Sequence, residues 1–181
     1  QNVSGIDEKI KRYKLNKPPL CKGRWILQIN RRRGCLWKEN IIKIDLNELE
    51  KIINPNIIEV HDCVILDLEN RIVKQNIDFD FILKRFGDRV GYEASRNEIR
   101  VNDYIIEGSF NSIVRLSFKI IEILKYKLKL RYPNDKFCIV FSSDKEYVTL
   151  RFYKIRENEN SWLNEKDLDR YVDEAIMVYK F

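Results

Sequence analysis

One histidine, one methionine, six glycines and four prolines in 181 residues exclude several kinds of chemistry before any motif is sought. With His61 as the only imidazole, no histidine-rich metal set can be assembled. Glycine is too sparse and too scattered for a phosphate-cradling loop, and no G-x-S-x-G nucleophile elbow is present. Cys21, Cys35, Cys63 and Cys138 lie far apart with no C-x-x-C pair, which predicts reduced structural thiols rather than zinc or a disulfide frame. No apolar run approaches the roughly 18 residues of a membrane span, and the amino end carries no signal-peptide pattern. These absences predict a cytoplasmic protein that is not an enzyme and has no metal, cofactor or membrane association.

A hydrophobic fraction of 44% beside 34% charged residues is enough for one sizeable core or two small ones. Charge is unevenly spread. Residues 1–43 hold twelve lysines and arginines against three acids, a net +9, which leaves −3 for the rest of a chain of net +6. The Pro18-Pro19 pair is the strongest linker signal. The chain shows neither an internal repeat nor a low-complexity tract.

The stretch from Asn102 to Phe152 organises the remainder. Ile113, Val114, Ile120, Ile121, Leu124 and Leu128 recur at helical spacing, so a long amphipathic helix is predicted from about Ser109 to Tyr132. Ser109 or Asn111 can cap it, and Pro133 ends it. Two strand-like runs follow, Phe137 to Phe141 and Tyr147 to Tyr153. Upstream, residues 6–14 read as a short basic helix, with strands over 24–30 and 35–44. A helix over 46–53 has Asp45 placed to cap it. One strand is predicted over 57–68 and a helix over 77–86 closed by Gly87. A hairpin over 91–106 would turn at Arg96-Asn97, a helix capped by Asn164 or Ser161 would run through Leu168, Tyr171, Val172 and Ala175, and a last strand would cover 177–181. The sum is an α+β fold: a mostly antiparallel sheet, the long helix on one face, and shorter flanking helices. A soft boundary falls near residue 87, between a basic segment 1–87 and a unit 88–181, unless the two form one continuous domain.

Four groups of residues qualify as candidate sites. His61-Asp62-Cys63 contains a nucleophile and a base, and on a strand His61 and Cys63 would share a side. Asp67 and Glu69, with Lys74 nearby, faintly echo the acid-acid-lysine set of a metal-dependent nuclease, without its spacing. Lys22, Arg24, Arg31, Arg32 and Arg33, with Lys38, Trp25 and Trp37, form a possible nucleic-acid surface in which cations neutralise phosphates and a ring stacks on a base. The most informative surface is the strand after the long helix. If Val148, Leu150 and Phe152 face the helix, Tyr147, Thr149, Arg151 and Tyr153 point the other way, and Arg156 and Trp162 extend that patch. Aromatic residues with arginine give large contact area at little entropy cost, which suits a protein partner.

The run Val148-Thr-Leu-Arg-Phe-Tyr-Lys-Ile-Arg156, then Glu157 and Glu159, Ser161-Trp-Leu163, Asp167-Leu-Asp-Arg-Tyr171 and Glu174-Ala-Ile176 resembles the end of bacterial toxin-immunity proteins of contact-dependent or polymorphic toxin systems. The likeness covers about residues 90–176. It implies a small cytoplasmic α+β protein without catalysis that neutralises a cognate toxin by occluding it, with Tyr147, Arg151, Tyr153, Arg156 and Trp162 at the contact. The alternative is nucleic-acid binding through the basic front.

Overall fold

The computed structural model describes residues 42–73 and 77–181. The readings over 6–14, 24–30 and most of 35–44 therefore lie outside the described residues. Short polar side chains start each α-helix. Asp45 accepts from the Asn47 and Glu48 amides at the start of α1 (Leu46–Ile53), Asp78 from Phe81 at α2 (Phe79–Phe86), Asp88 from Gly91 at α3 (Arg89–Arg96), and Ser109 from Ser112 at α4 (Phe110–Arg131). Each side-chain oxygen satisfies an amide that the first helical turn leaves unpaired. Gly87 ends α2 at φ +84°, where a side chain would be strained.

Among the described residues there are eight strands: β1 (Lys43–Ile44), β2 (Ile57–Val60), β3 (Cys63–Leu66), β4 (Ile99–Arg100), β5 (Ile105–Glu107), β6 (Lys136–Ser143), β7 (Val148–Ile155) and β8 (Ala175–Lys180). The main sheet has the order β4-β7-β6-β8, and every pairing among the described strands is antiparallel. This is the α+β architecture predicted from the sequence. On one sheet face, Val148, Leu150, Phe152, Phe137, Ile139 and Phe141 pack against Ile113, Ile120, Ile121, Leu124 and Leu128 of α4. Side chains so buried contribute about 1.5–3 kcal/mol each, far more than helix propensity could. Ile52, Ile57, Val64 and Leu66 join the same cluster, so apolar residues from both sides of residue 87 share it.

Three expected elements differ. Residues 57–68 form a hairpin rather than one strand. Val60 pairs with Cys63 across His61 and Asp62, both left-handed at φ 50° and 64°. Two successive positive φ angles are what a tight two-residue hairpin turn needs. Residues 89–96 are helical, not the first arm of a hairpin, and β4 after Asn97 is only two residues long. The stretch expected as a helix through Ala175 holds a 3₁₀ segment, Glu165–Arg170, capped by Asn164, and Ala175 already belongs to β8.

The outer edges of β3 and β7 do not pair with each other. Glu93 of α3 and Asn97, the residue that caps its C-terminus, fill the space between them. Glu93 accepts the Val64 amide at 2.6 Å and the Lys154 amide at 2.9 Å. Asn97 accepts the Leu66 amide at 2.7 Å and donates to the Val64 and Phe152 carbonyls at 2.8 and 2.9 Å. Carboxylate and amide thus stand in for the neighbouring strand that neither edge has.

Gly91 fits because the α2–α3 junction passes so closely: a Cβ there would lie 2.5 Å from the Phe86 carbonyl oxygen. Gly91→Ala is expected to cost about 1–3 kcal/mol by forcing backbone apart, measured by urea unfolding. An unchanged midpoint would contradict the close approach.

Candidate functional site

The sheet face opposite α4 is covered at one end and open at the other. At the covered end Cys138, Val140 and Tyr153 pack against Val90 and Ala94 of α3, with Ile155, Leu163, Ile176 and Val178 around them. Beyond α3 the same face opens into a groove of about 490 Å³. Its floor is Val140, Ser142, Thr149, Arg151 and Ile176, and Trp162, Leu163, Tyr171 and Glu174 from the β7–β8 connection form one wall.

Each principal side chain here is held from behind. Arg151 donates to Glu98 at 2.6 Å, and its guanidinium carbon lies 5.1 Å from the Trp162 ring centroid, within cation–π range. Glu98 also accepts from Arg100 at 2.7 Å. Burial alone would raise the Glu98 carboxyl, but the hydrogen bonds and charges of Arg100 and Arg151 outweigh it and hold it below the usual carboxylate range. At the groove mouth, Asp144 accepts the Tyr147 and Glu146 amides at 2.6 and 2.7 Å, and these bonds hold its carboxyl low. Asn102 bonds the Glu146 carbonyl and the Val148 amide, both at 2.9 Å, which fixes the start of β7. Tyr147 is left 60% exposed and Trp162 39%.

The predicted contact residues therefore separate. Tyr147, Arg151 and Trp162 come together with Thr149 around one groove. Tyr153 points to the same side but is only 2% exposed, because α3 lies over it, and burial pushes its phenol up. Arg156, expected on the open patch, is instead 10% exposed by side chain and bonds Glu93 through both terminal nitrogens, at 2.9 and 3.0 Å. It also donates to the Asp62 carboxylate at 3.1 Å, to the Asp62 carbonyl, and to Glu159 at 3.3 Å. Burial pushes the Glu93 carboxyl up, while Arg156 and the Val64 and Lys154 amides pull against that shift. Glu98, Asn102 and Tyr171 were not legible as site residues, since their partners or the groove wall come from distant chain segments.

The other candidates go elsewhere. His61 is exposed at a hairpin turn, stacked on Phe79 at 4.8 Å between centroids. Cys63 starts the next strand, fully buried, with its thiol pushed up to about 12 by burial and then by Glu93. The expected one-sided His–Cys pair is thereby undone: the turn separates an exposed ring from a protonated, sealed thiol. Asp67 accepts the Arg71 and Ile72 amides at 2.9 and 3.2 Å, whereas Glu69 pairs on the surface with Lys51 and Arg71. Lys74 lies outside the described residues, as do Lys22, Arg24, Arg31, Arg32 and Arg33. Among the described residues no group of three His, Cys, Asp or Glu side chains could hold a metal ion, and no helix is long and apolar enough to cross a membrane.

Comparison with known proteins bears on most of this region. The family model described as "Uncharacterized protein PM0498 family" matches residues 31–180. "Uncharacterized protein PM0498" of Pasteurella multocida (strain Pm70) is 28% identical over 131 residues, which covers 68% of this chain and 75% of that protein. No solved structure matches the chain.

Removing Arg156 would strand Glu93, which has no exposed surface, as an uncompensated charge. Arg156→Ala is expected to lose roughly 3–5 kcal/mol of unfolding free energy, read by urea denaturation followed by circular dichroism. A loss typical of a surface ion pair, below about 1 kcal/mol, would show that the arginine is no anchor.

Proposed function

This chain belongs to the Uncharacterized protein PM0498 family, and for it we propose a non-enzymatic protein-binding role, most concretely that of an immunity protein which neutralises a cognate toxin by occluding it. The observation that carries the reading is the prearranged Arg151–Trp162 stack, backed by Glu98 and flanked by exposed Tyr147. Tyrosine, tryptophan and arginine dominate the energetics of protein interfaces, and groups already fixed in place lose little entropy on docking. The groove is open and rich in hydroxyls, unlike the mostly apolar, enclosing pocket that suits a small molecule. Of the groups singled out for nucleophilic or acid–base chemistry, Cys63 is sealed, His61 stacks on Phe79 at an exposed turn, Asp67 closes a loop, and Glu69 pairs with lysine and arginine. The resemblance of residues 90–176 to toxin-immunity proteins gives the binding role its specific form.

In this mechanism the sheet acts as a rigid plate. A segment of the toxin lies against Tyr147, Arg151 and Trp162, and the body of the protein covers the toxin's working surface. The test is binding, by titration calorimetry, to the product of the gene adjoining this protein's own, with rescue of growth on co-expression. Trp162→Ala and Tyr147→Ala are each expected to weaken binding about thirtyfold, the ~2 kcal/mol of an interface anchor. Tyr126→Ala, on the exposed outer side of α4, should leave it unchanged. Absence of binding, or affinity indifferent to both groove variants, would overturn the proposal.

A further inference from the structure

The two edges of the main sheet are built very differently. At one edge β4 is two residues long, and beyond it the edge of β7 is occupied by Glu93 and Asn97. At the other edge β8 runs six residues, Ala-Ile-Met-Val-Tyr-Lys, in unbroken register with β6. It has no proline and no bulge, and its one charge is at its end. These are the devices that ordinarily protect an exposed edge, and β8 has almost none. No described strand pairs with its outer side.

Phe137 and Phe181 exchange hydrogen bonds at 3.0 and 3.1 Å. Odd-numbered residues of this segment therefore turn their backbone groups toward β6, and Ile176, Val178 and Lys180 turn theirs outward. Side chains alternate accordingly. Ile176 and Val178 lie on the groove face, Met177 and Tyr179 on the α4 face.

We propose that β8 pairs antiparallel with β8 of a second copy of this chain, about a two-fold axis at Met177. Of the registers that bring outward backbone groups opposite one another, those centred on Ile176, Met177 and Val178 overlap residues 174–180 most, and charge selects among these three. Centring on Met177 places Ile176 opposite Val178 and Glu174 opposite Lys180 of the second copy, twice by symmetry. Centring on Val178 sets Lys180 against Ile176, and centring on Ile176 sets Glu174 against Val178, so both leave charges unmatched. Opposite charges directly across an antiparallel pair stabilise it, and like charges destabilise it. Glu174 is exposed and has no ion pair among the described residues. Lys180 already holds Glu165 in its own chain, and an ammonium with three donors can serve both acids. The pairing is isologous and closes on itself: both β8 edges are consumed, an eight-stranded sheet results, and its two ends are the short β4 strands.

Sedimentation velocity on the full chain at micromolar concentrations is expected to give a particle of twice 21.9 kDa. Val178→Pro removes only an outward donor, so it should yield a monomer that keeps its β6 bonds. Glu174→Lys alone and Lys180→Glu alone should each weaken the dimer roughly tenfold. Mixing those two variants should restore it, because each cross-strand pair is then again of opposite sign. A monomer at every concentration, a dimer indifferent to all three substitutions, or a mixture no tighter than its components would overturn the proposal.

Discussion

The fold depends on a polar clamp in an apolar setting. Glu93 of α3 and Asn97 at its C-cap project into the space between β3 and β7, and they bond five backbone groups that no strand satisfies. A buried backbone N–H or C=O without a partner costs about 1–3 kcal/mol, so leaving these open would consume much of a domain's net stability. Glu93 brings its own cost, since a carboxylate with no exposed surface must be compensated. Arg156 supplies that compensation through a two-pronged contact and reaches on to Asp62 at the tip of the β2–β3 turn. One arginine thus ties helix, hairpin and sheet at a single point.

The groove follows from where this clamp sits. With α3 pinned over the Lys154 end of β7, Tyr153 is covered and the Tyr147 end is left open. Asn97 also fixes the residue after it. Glu98 emerges where it meets Arg151, and Arg151 in turn meets Trp162. The open aromatic patch and the sealed core are consequences of the same helix placement.

Much of this was legible in the sequence where the signal is local. The long helix follows from six apolar positions at helical spacing between a serine cap and a proline, α1 from an aspartate before an amphipathic turn, and α2 from apolar spacing closed by a glycine. The alternation in residues 147–153 correctly divided β7 into its two faces. What was missed depends on distant partners. Val90, Tyr92 and Ala94 alternate as a strand would, and the reason for a helix there lies in Glu93 and Asn97 bonding groups 29 to 63 residues away. Likewise nothing beside His61 and Asp62 announces a turn. Asp62 is held by Lys154 and Arg156, 92 and 94 residues downstream. Arg156 looked like a surface cation because two of its three acidic partners, Asp62 and Glu93, lie 94 and 63 residues away.

Amide hydrogen exchange tests the clamp most directly. Val64, Leu66 and Lys154 lie on strand edges with no backbone acceptor, yet their amides should exchange as slowly as those of the β6–β7 ladder, because the Glu93 and Asn97 side chains receive them. In Asn97→Ala the Leu66 amide should lose protection roughly tenfold or more while the ladder keeps its own. If these three amides exchange in the unaltered protein as fast as those of an exposed loop, the clamp is not what joins hairpin to sheet.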